Sequence, residues 1–172
     1  MAPIFLLLLL LASSHTISAT RNYRANFIAN INGATADQVW PYIQDYCTLY
    51  LIFPSDNSFC TEGPEGKPGQ IRFSTGKVPG TQPNSIFVFY TREILIEVNA
   101  KKRFLTYEFR QNNIGVTFLR GTMQALPGKN GNSFFQWTLV GAPVGNQTYP
   151  EFVTALQGTF SGISRLVQNL FV

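Results

Sequence analysis

The sequence predicts an α+β fold: a curved antiparallel sheet of about seven strands wrapped around one long C-terminal helix, with two short helices after the first strand. Three observations predict it. First, six strand candidates, residues 58–62, 69–75, 85–99, 103–111, 116–126 and 133–142, follow one another with short connections. Such spacing gives an antiparallel meander. Second, from Thr148 to Phe171 the residues Phe152, Leu156, Phe160, Ile163, Val167 and Leu170 recur every three or four positions, a single helical apolar stripe. That stripe must be buried, and the concave face of the sheet is the large surface available for it. Third, apolar residues make up 45% of the chain and charged residues 13%, with 15 Phe and 7 Tyr. So much ring surface suits a large core or the lining of an apolar cavity.

The elements follow in order. Residues 23–32, YRANFIANIN, alternate loosely and read as a strand. Thr35 and Gln38 form a capping box that starts a helix running to about Tyr46, with Val39, Trp40 and Ile43 on one face. Pro41 falls inside that helix and is expected to kink or shorten it. Residues 47–54, CTLYLIFP, read as a second short helix or turn ending at Pro54. The strand series is broken at Pro64-Glu65-Gly66, Pro79-Gly80, Asn99–Lys102, Asn112-Asn113 and Gly128–Gly131. Thr148 and Glu151 make a second capping box, with Pro150 in the first turn. Gly158 and Gly162 lie one turn apart in the final helix; they are either tolerated defects or small residues that leave room for a ligand or a bend.

Residues 4–12, IFLLLLLLA, form an unbroken apolar run followed by small polar residues, with a cleavage site expected after Ala19. The run is shorter than the ~20 residues a bilayer span takes, and it matches the apolar region of a secretory signal peptide. No Lys or Arg precedes it, and the alternative is a buried N-terminal strand or helix. The expectation is a removed leader, 1–19, and one domain, 20–172, in the secretory pathway with an extracellular or vacuolar address. Asn146-Gln147-Thr148 is an N-glycosylation acceptor triplet. Cys47 and Cys60 are an even pair, so a disulfide is the default in that compartment; the alternative is two thiols too far apart to bridge.

Chemistry is narrowed by what the chain lacks. Its only histidine, His15, lies in the expected leader. That removes Ser-His-Asp and Cys-His catalysis and His-ligated metal from the mature chain, and two cysteines are too few for zinc or iron–sulfur sites. No metal is expected. The net charge of +4 is scattered, with Lys101-Lys102-Arg103 as the one cluster, at an expected hairpin turn; this reads as a solvated loop and not a nucleic-acid surface. No mature segment is long and apolar enough for stable membrane insertion.

The stretches DQVWPYIQDYCTLYLIFPS (37–55), FCTEGPEGKPGQIRF (59–73), TREILIEVNAKKRFLTYEF (91–109) and NNIGVTFLRGTMQALP (112–127), with the closing helix, are similar in order and spacing to the plant polyketide cyclase/dehydrase and lipid-transport superfamily. Within it the chain resembles the lachrymatory-factor-synthase-like group; the birch-pollen-allergen fold is a more distant likeness. The resemblance implies a helix-grip fold, a deep apolar pocket and no cofactor. It also implies an essential arginine and glutamate. The arginine falls on Arg72 in Gly69-Gln70-Ile71-Arg72, the glutamate on Glu93 in Arg92-Glu93-Ile94-Leu95, and a tyrosine early in the next strand on Tyr107. Val116 and Leu119 stand where the family has further pocket tyrosines, and GAPVGNQTYPE (141–151) lacks the family's tryptophan with acidic partners.

A carboxylate in an apolar pocket loses hydration, which favours its neutral form; a guanidinium beside it favours the charged form. A Glu93 balanced between the two is able to take a proton from one ligand atom and return it to another. Arg72 would hold an oxyanion or enolate through paired N–H donors. Alternation alone puts both on the more polar strand face, where solvent is the default, and the pair could be structural. Trp40, Tyr90, Trp137 and Phe152 read as core; ligand contact is expected from Tyr90, Phe152, Trp137, Leu119 and Leu156. Glu97, Glu108 and Arg110 read as surface pairs.

Three readings of function follow. One is a secreted plant protein that binds a small apolar, oxygenated metabolite and isomerises or cyclises it by cofactor-free proton transfer. The second is a non-catalytic binder or carrier of hydrophobic ligands linked to defence. The third is a surface-interaction protein with a filled core, which predicts no enclosed cavity of about 300 Å³.

Overall fold

The computed structural model describes residues 22–52, 55–79 and 85–172. The leader expected over residues 1–19 lies outside them, as do Pro54 and Gly80 of the expected breaks. The chain runs β1 (Tyr23–Ile31), α1 (Ala36–Gln44), a single 3-10 turn (Leu49–Leu51), β2 (Asn57–Glu62), β3 (Ile71–Pro79), β4 (Ile86–Asn99), β5 (Phe104–Asn112), β6 (Leu119–Pro127), β7 (Ser133–Gly141) and α2 (Tyr149–Asn169). The seven strands form one sheet in the order β1-β7-β6-β5-β4-β3-β2. Every pairing is antiparallel, so β2 to β7 make the expected meander and β1 crosses to pair with β7. This is the helix-grip arrangement that the element order predicts. Register shifts near Cys60, at Arg92/Glu93 and at Leu95/Glu97 mark bulges, which bend strands and help the sheet curve.

Local chemistry sets the helix starts. The Gln38 N–H donates to Thr35 Oγ1 at 3.4 Å, and the Thr35 N–H donates to Gln38 Oε1 at 2.9 Å. Pro41 stays inside α1, and the helix stops at Gln44, short of the expected Tyr46. At α2 the Thr148 N–H and hydroxyl both donate to Glu151, at 2.7 and 2.8 Å. These two bonds hold the Glu151 carboxyl below the usual carboxylate range. The stripe of α2 buries Phe152, Phe160, Ile163 and Val167, but Leu170 lies past the helix end and is exposed. Phe160 stacks on Phe27 of β1 and Phe135 of β7, with centroids 5.3 and 5.8 Å away.

Two links tie the short helical segment to the sheet. Arg103, in the turn before β5, donates to Asp37 of α1 at 2.6 Å, so the expected solvated cluster contributes one anchoring residue. Cys47 is joined to Cys60 of β2 by a disulfide with a sequence separation of 13. Closing such a loop contributes about 3 kcal/mol in the chain-entropy picture. Of the expected surface pairs, Glu108 meets Arg120 at 2.7 Å and Arg110 at 3.5 Å.

The inner face of the sheet is divided. At one end Ile31, Val39, Ile43, Leu105, Met123, Phe135, Ile163 and Val167 close a packed core. At the other end the inner face carries Arg72 and Ser74 of β3, and Thr91 and Glu93 of β4, all buried. There α2 does not fill the space against the sheet.

Candidate functional site

The unfilled end holds a cavity of about 460 Å³. It exceeds the roughly 300 Å³ of the smaller ligand sites, so the filled-core reading is overturned. Its helix wall is Phe152, Ala155, Leu156 and Thr159. Its floor is Phe109, Leu119 and Trp137, and its loop wall is Ile114, Val116, Ala142, Val144 and Gln147. The β3–β4 side supplies Arg72, Ser74, Phe89, Thr91 and Glu93, with Ser55 and Lys77 at one end.

Arg72 and Glu93 face each other in register across β3 and β4. Their side chains pair directly, Arg72 Nη2 donating to Glu93 Oε2, and the residues are 2% and 5% exposed. The second Glu93 oxygen accepts from Thr91 Oγ1 at 2.8 Å. Arg72 Nη1 donates to the Tyr46 carbonyl at 3.3 Å. The guanidinium also lies 4.6 Å from the centre of the Tyr46 ring and 5.9 Å from that of Tyr107. It is therefore held between two aromatic faces, an arrangement that favours a cation. Burial, the largest single influence, disfavours its charge, but the Glu93 carboxylate with Tyr46 and Tyr107 together outweigh it and hold the guanidinium above its ordinary range.

The two tyrosines differ. Tyr107 is buried on β5, and its hydroxyl accepts from Trp137 Nε1 at 3.1 Å. Burial first, and the Glu93 carboxylate second, push its phenol far above the ordinary range. It stays neutral at any physiological pH, with its own proton left to donate. Burial and then Glu93 also raise Tyr46 strongly, yet its hydroxyl is buried without a partner among the described residues. Tyr46 precedes Cys47, and Cys60 lies across from Arg72 in the β2–β3 register, so the disulfide ties the Tyr46 segment at the level of the ion pair.

The structure brings together Arg72, Glu93, Tyr107, Trp137, Leu119, Phe152 and Leu156, all on the cavity wall. It does not bring Tyr90 there. Tyr90 is on the outer face of β4, stacked on Phe73 at 6.0 Å, which itself packs on Phe59 at 5.6 Å. Its neighbour Phe89 lines the cavity instead, because it shares a face with Thr91 and Glu93. Gly158 and Gly162 do not line it either; a Cβ on either would meet open space, so they leave room for no ligand there. Asn146 is exposed in the turn before α2, beside the cavity residue Gln147. Tyr46, Thr91, Ser55 and Lys77 were not legible as site residues. Thr91 alone carried a signal, being two residues before Glu93 on the same strand face. Among the described residues, no group of three or more His, Cys, Asp or Glu is placed to hold a metal ion, and no helix is long and apolar enough to cross a membrane.

The polyketide cyclase / dehydrase and lipid transport family matches residues 24–170. The chain belongs to that family. No match is found among curated proteins. Solved structures share the fold of this chain. Protein XoxI of Bacillus cereus is 23% identical, with a TM-score of 0.69 over 87% of this chain and 95% of its own. The ginseng major latex-like protein 151 of Panax ginseng is 8% identical, with a TM-score of 0.68 over 88% of this chain and 98% of its own. A protein of Nitrosospira multiformis is 13% identical, with a TM-score of 0.68 over 87% and 96%. At these identities the likeness is one of fold. The family and the cavity together make the chain a pocket protein for small hydrophobic ligands.

Proposed function

We propose that the protein is a secreted, lachrymatory-factor-synthase-like member of its family. In this reading it binds a small apolar, oxygenated metabolite and isomerises or cyclises it without a cofactor. The observation that carries this reading is the Arg72–Glu93 pair, buried in the wall of an otherwise apolar cavity. A buried ion pair adds little net stability over apolar residues of the same size, so its position beside a ligand space favours a chemical use. Arg72 holds the ligand oxygen and stabilises negative charge developing on it. Glu93, oriented by Thr91, takes a proton from one ligand atom and returns it to another. Tyr107, neutral and fixed by Trp137, donates to the same oxygen. The disulfide and the exposed Asn146 favour a secretory route, extracellular or vacuolar.

One observation favours the carrier reading: each Glu93 oxygen already has a donor, Arg72 or Thr91. Incubating purified protein with plant extract and following the mixture by mass spectrometry separates the two. New products that vanish with Glu93→Gln support proton transfer. Ligands recovered unchanged, in wild type and variant alike, support a carrier.

A further inference from the structure

The cavity opens where residues that line it are also exposed. Ile114 and Val144 line it and are 36% and 37% exposed, and Ala155 lines it and is exposed as well. Ile114 lies in the β5–β6 loop, Val144 in the turn before α2, and Ala155 on the second turn of α2. The loop and the turn touch, since a Cβ at Gly115 would come within 3.3 Å of Val144 Cγ1. The mouth therefore has an apolar lip, and apolar surface left in water is unfavourable unless something covers it.

Asn146 stands at this lip. The turn that carries it is pinned by three hydrogen bonds. The Gln147 N–H donates to the Val144 carbonyl at 3.1 Å, and the Val144 N–H donates to Gln147 Oε1 at 3.4 Å. The Tyr23 hydroxyl donates to the Gln147 carbonyl at 3.3 Å. Between them Gly145, at a φ of +56°, takes the left-handed conformation that glycine adopts without strain. Val144 and Gln147 are thus held against the cavity, and Asn146 is left exposed between them. Asn146-Gln147-Thr148 is an acceptor triplet, and this is the surface-turn setting in which such triplets are used.

We propose that Asn146 carries an N-linked glycan, and that this glycan covers the apolar lip and narrows the approach to the cavity. The donor is an oligosaccharide on a polyisoprenyl diphosphate. Asn146 Nδ2 bonds to the anomeric carbon as the bond from that carbon to the diphosphate oxygen breaks. The polyisoprenyl diphosphate leaves with the bonding electrons, and one amide proton passes to a base of the transferase. A glycan is bulky and solubilising, so over Ile114 and Val144 it turns an apolar rim into a hydrated one. It stands outside the bound ligand, so it slows entry and exit by the same factor and leaves the affinity unchanged. This rests on the secretory, ligand-binding reading above and adds a modification to it.

The test expresses the full chain and its Asn146→Gln variant in cultured human cells. Intact mass and peptide mapping are read on the protein recovered from the medium. Stopped-flow fluorescence then follows N-phenyl-1-naphthylamine, a neutral apolar probe, into both forms. The expected result is one glycan on wild type, absent from Asn146→Gln. Wild type should take up and release the probe about twofold more slowly at equal Kd, as blocking half the approach directions halves productive encounters. Secreted wild type without a glycan overturns the modification and leaves the secretory route standing. Protein kept in the cytosol overturns that route and the modification with it. Equal rates in the two forms, or a changed Kd, mean that the glycan does not stand over the mouth and overturn its role there. A probe that binds neither form overturns the ligand-binding reading, and that role with it.

Discussion

Tyr107 lies flat against β6 because Gly121, directly opposite it in the β5–β6 register, has no side chain. A Cβ at Gly121 would come within 2.5 Å of the Tyr107 ring and 2.6 Å of its hydroxyl. The glycine therefore fixes the height of the phenol above the sheet, and with it the bond from Trp137.

Gly121→Ala should force the Tyr107 ring away from β6. The overpacking is expected to destabilise the fold by about 1–3 kcal/mol and to weaken ligand binding. Urea unfolding measures the first effect. A changed fluorescence of Trp137, read in a Trp40→Phe background, reports the lost hydrogen bond.

The ion pair should be strongly coupled. Arg72→Met or Glu93→Leu alone leaves one buried charge unmatched and is expected to cost about 3–5 kcal/mol. The double variant should recover most of that loss, because the desolvation of both charges disappears with them. A double-mutant cycle in urea tests this; additive losses would mean that solvent reaches the pair.

The two tyrosines predict a loss of stability at high pH. Below about pH 10 both phenols are protonated in folded and unfolded chains alike. Above it the unfolded chain ionises them, while burial keeps them neutral in the fold. The folded state then binds more protons, so stability falls as pH rises. Tyr46→Phe and Tyr107→Phe should each flatten that fall. At neutral pH Tyr46→Phe should be close to neutral, since its hydroxyl has no partner, whereas Tyr107→Phe should lose about 1 kcal/mol with the Trp137 bond. Denaturation midpoints across the pH range decide both points.

The glycines of α2 should be dispensable. Because a Cβ at Gly158 or Gly162 meets nothing within 4 Å, alanine gains helix propensity without a clash. Each substitution is expected to stabilise by about 0.5–1 kcal/mol, read as a higher Tm, with ligand binding unchanged.

How much of this was legible from residues alone differs by element. Thr35-Gln38 and Thr148-Glu151 mark both helix starts because capping is local chemistry. Turn residues and short spacings place the six consecutive strands for the same reason. The likeness in ordered motifs points to Arg72, Glu93 and Tyr107, while periodicity gives no hint of Tyr46, since nothing local tells a ring near a helix end that it will cover an arginine 26 residues away.

Strand alternation by itself determined which residues share a face: Arg72 with Ser74, Glu93 with Thr91. Only the tertiary structure decided which face is inside. On β3 and β4 it is the polar one, since the outer face carries Ile71, Phe73 and Tyr90 while the inner face borders a space that α2 leaves open. Period-two patterning fixes parity and not sign. The sign follows from where the helix packs, and so Phe89 rather than Tyr90 meets the ligand space.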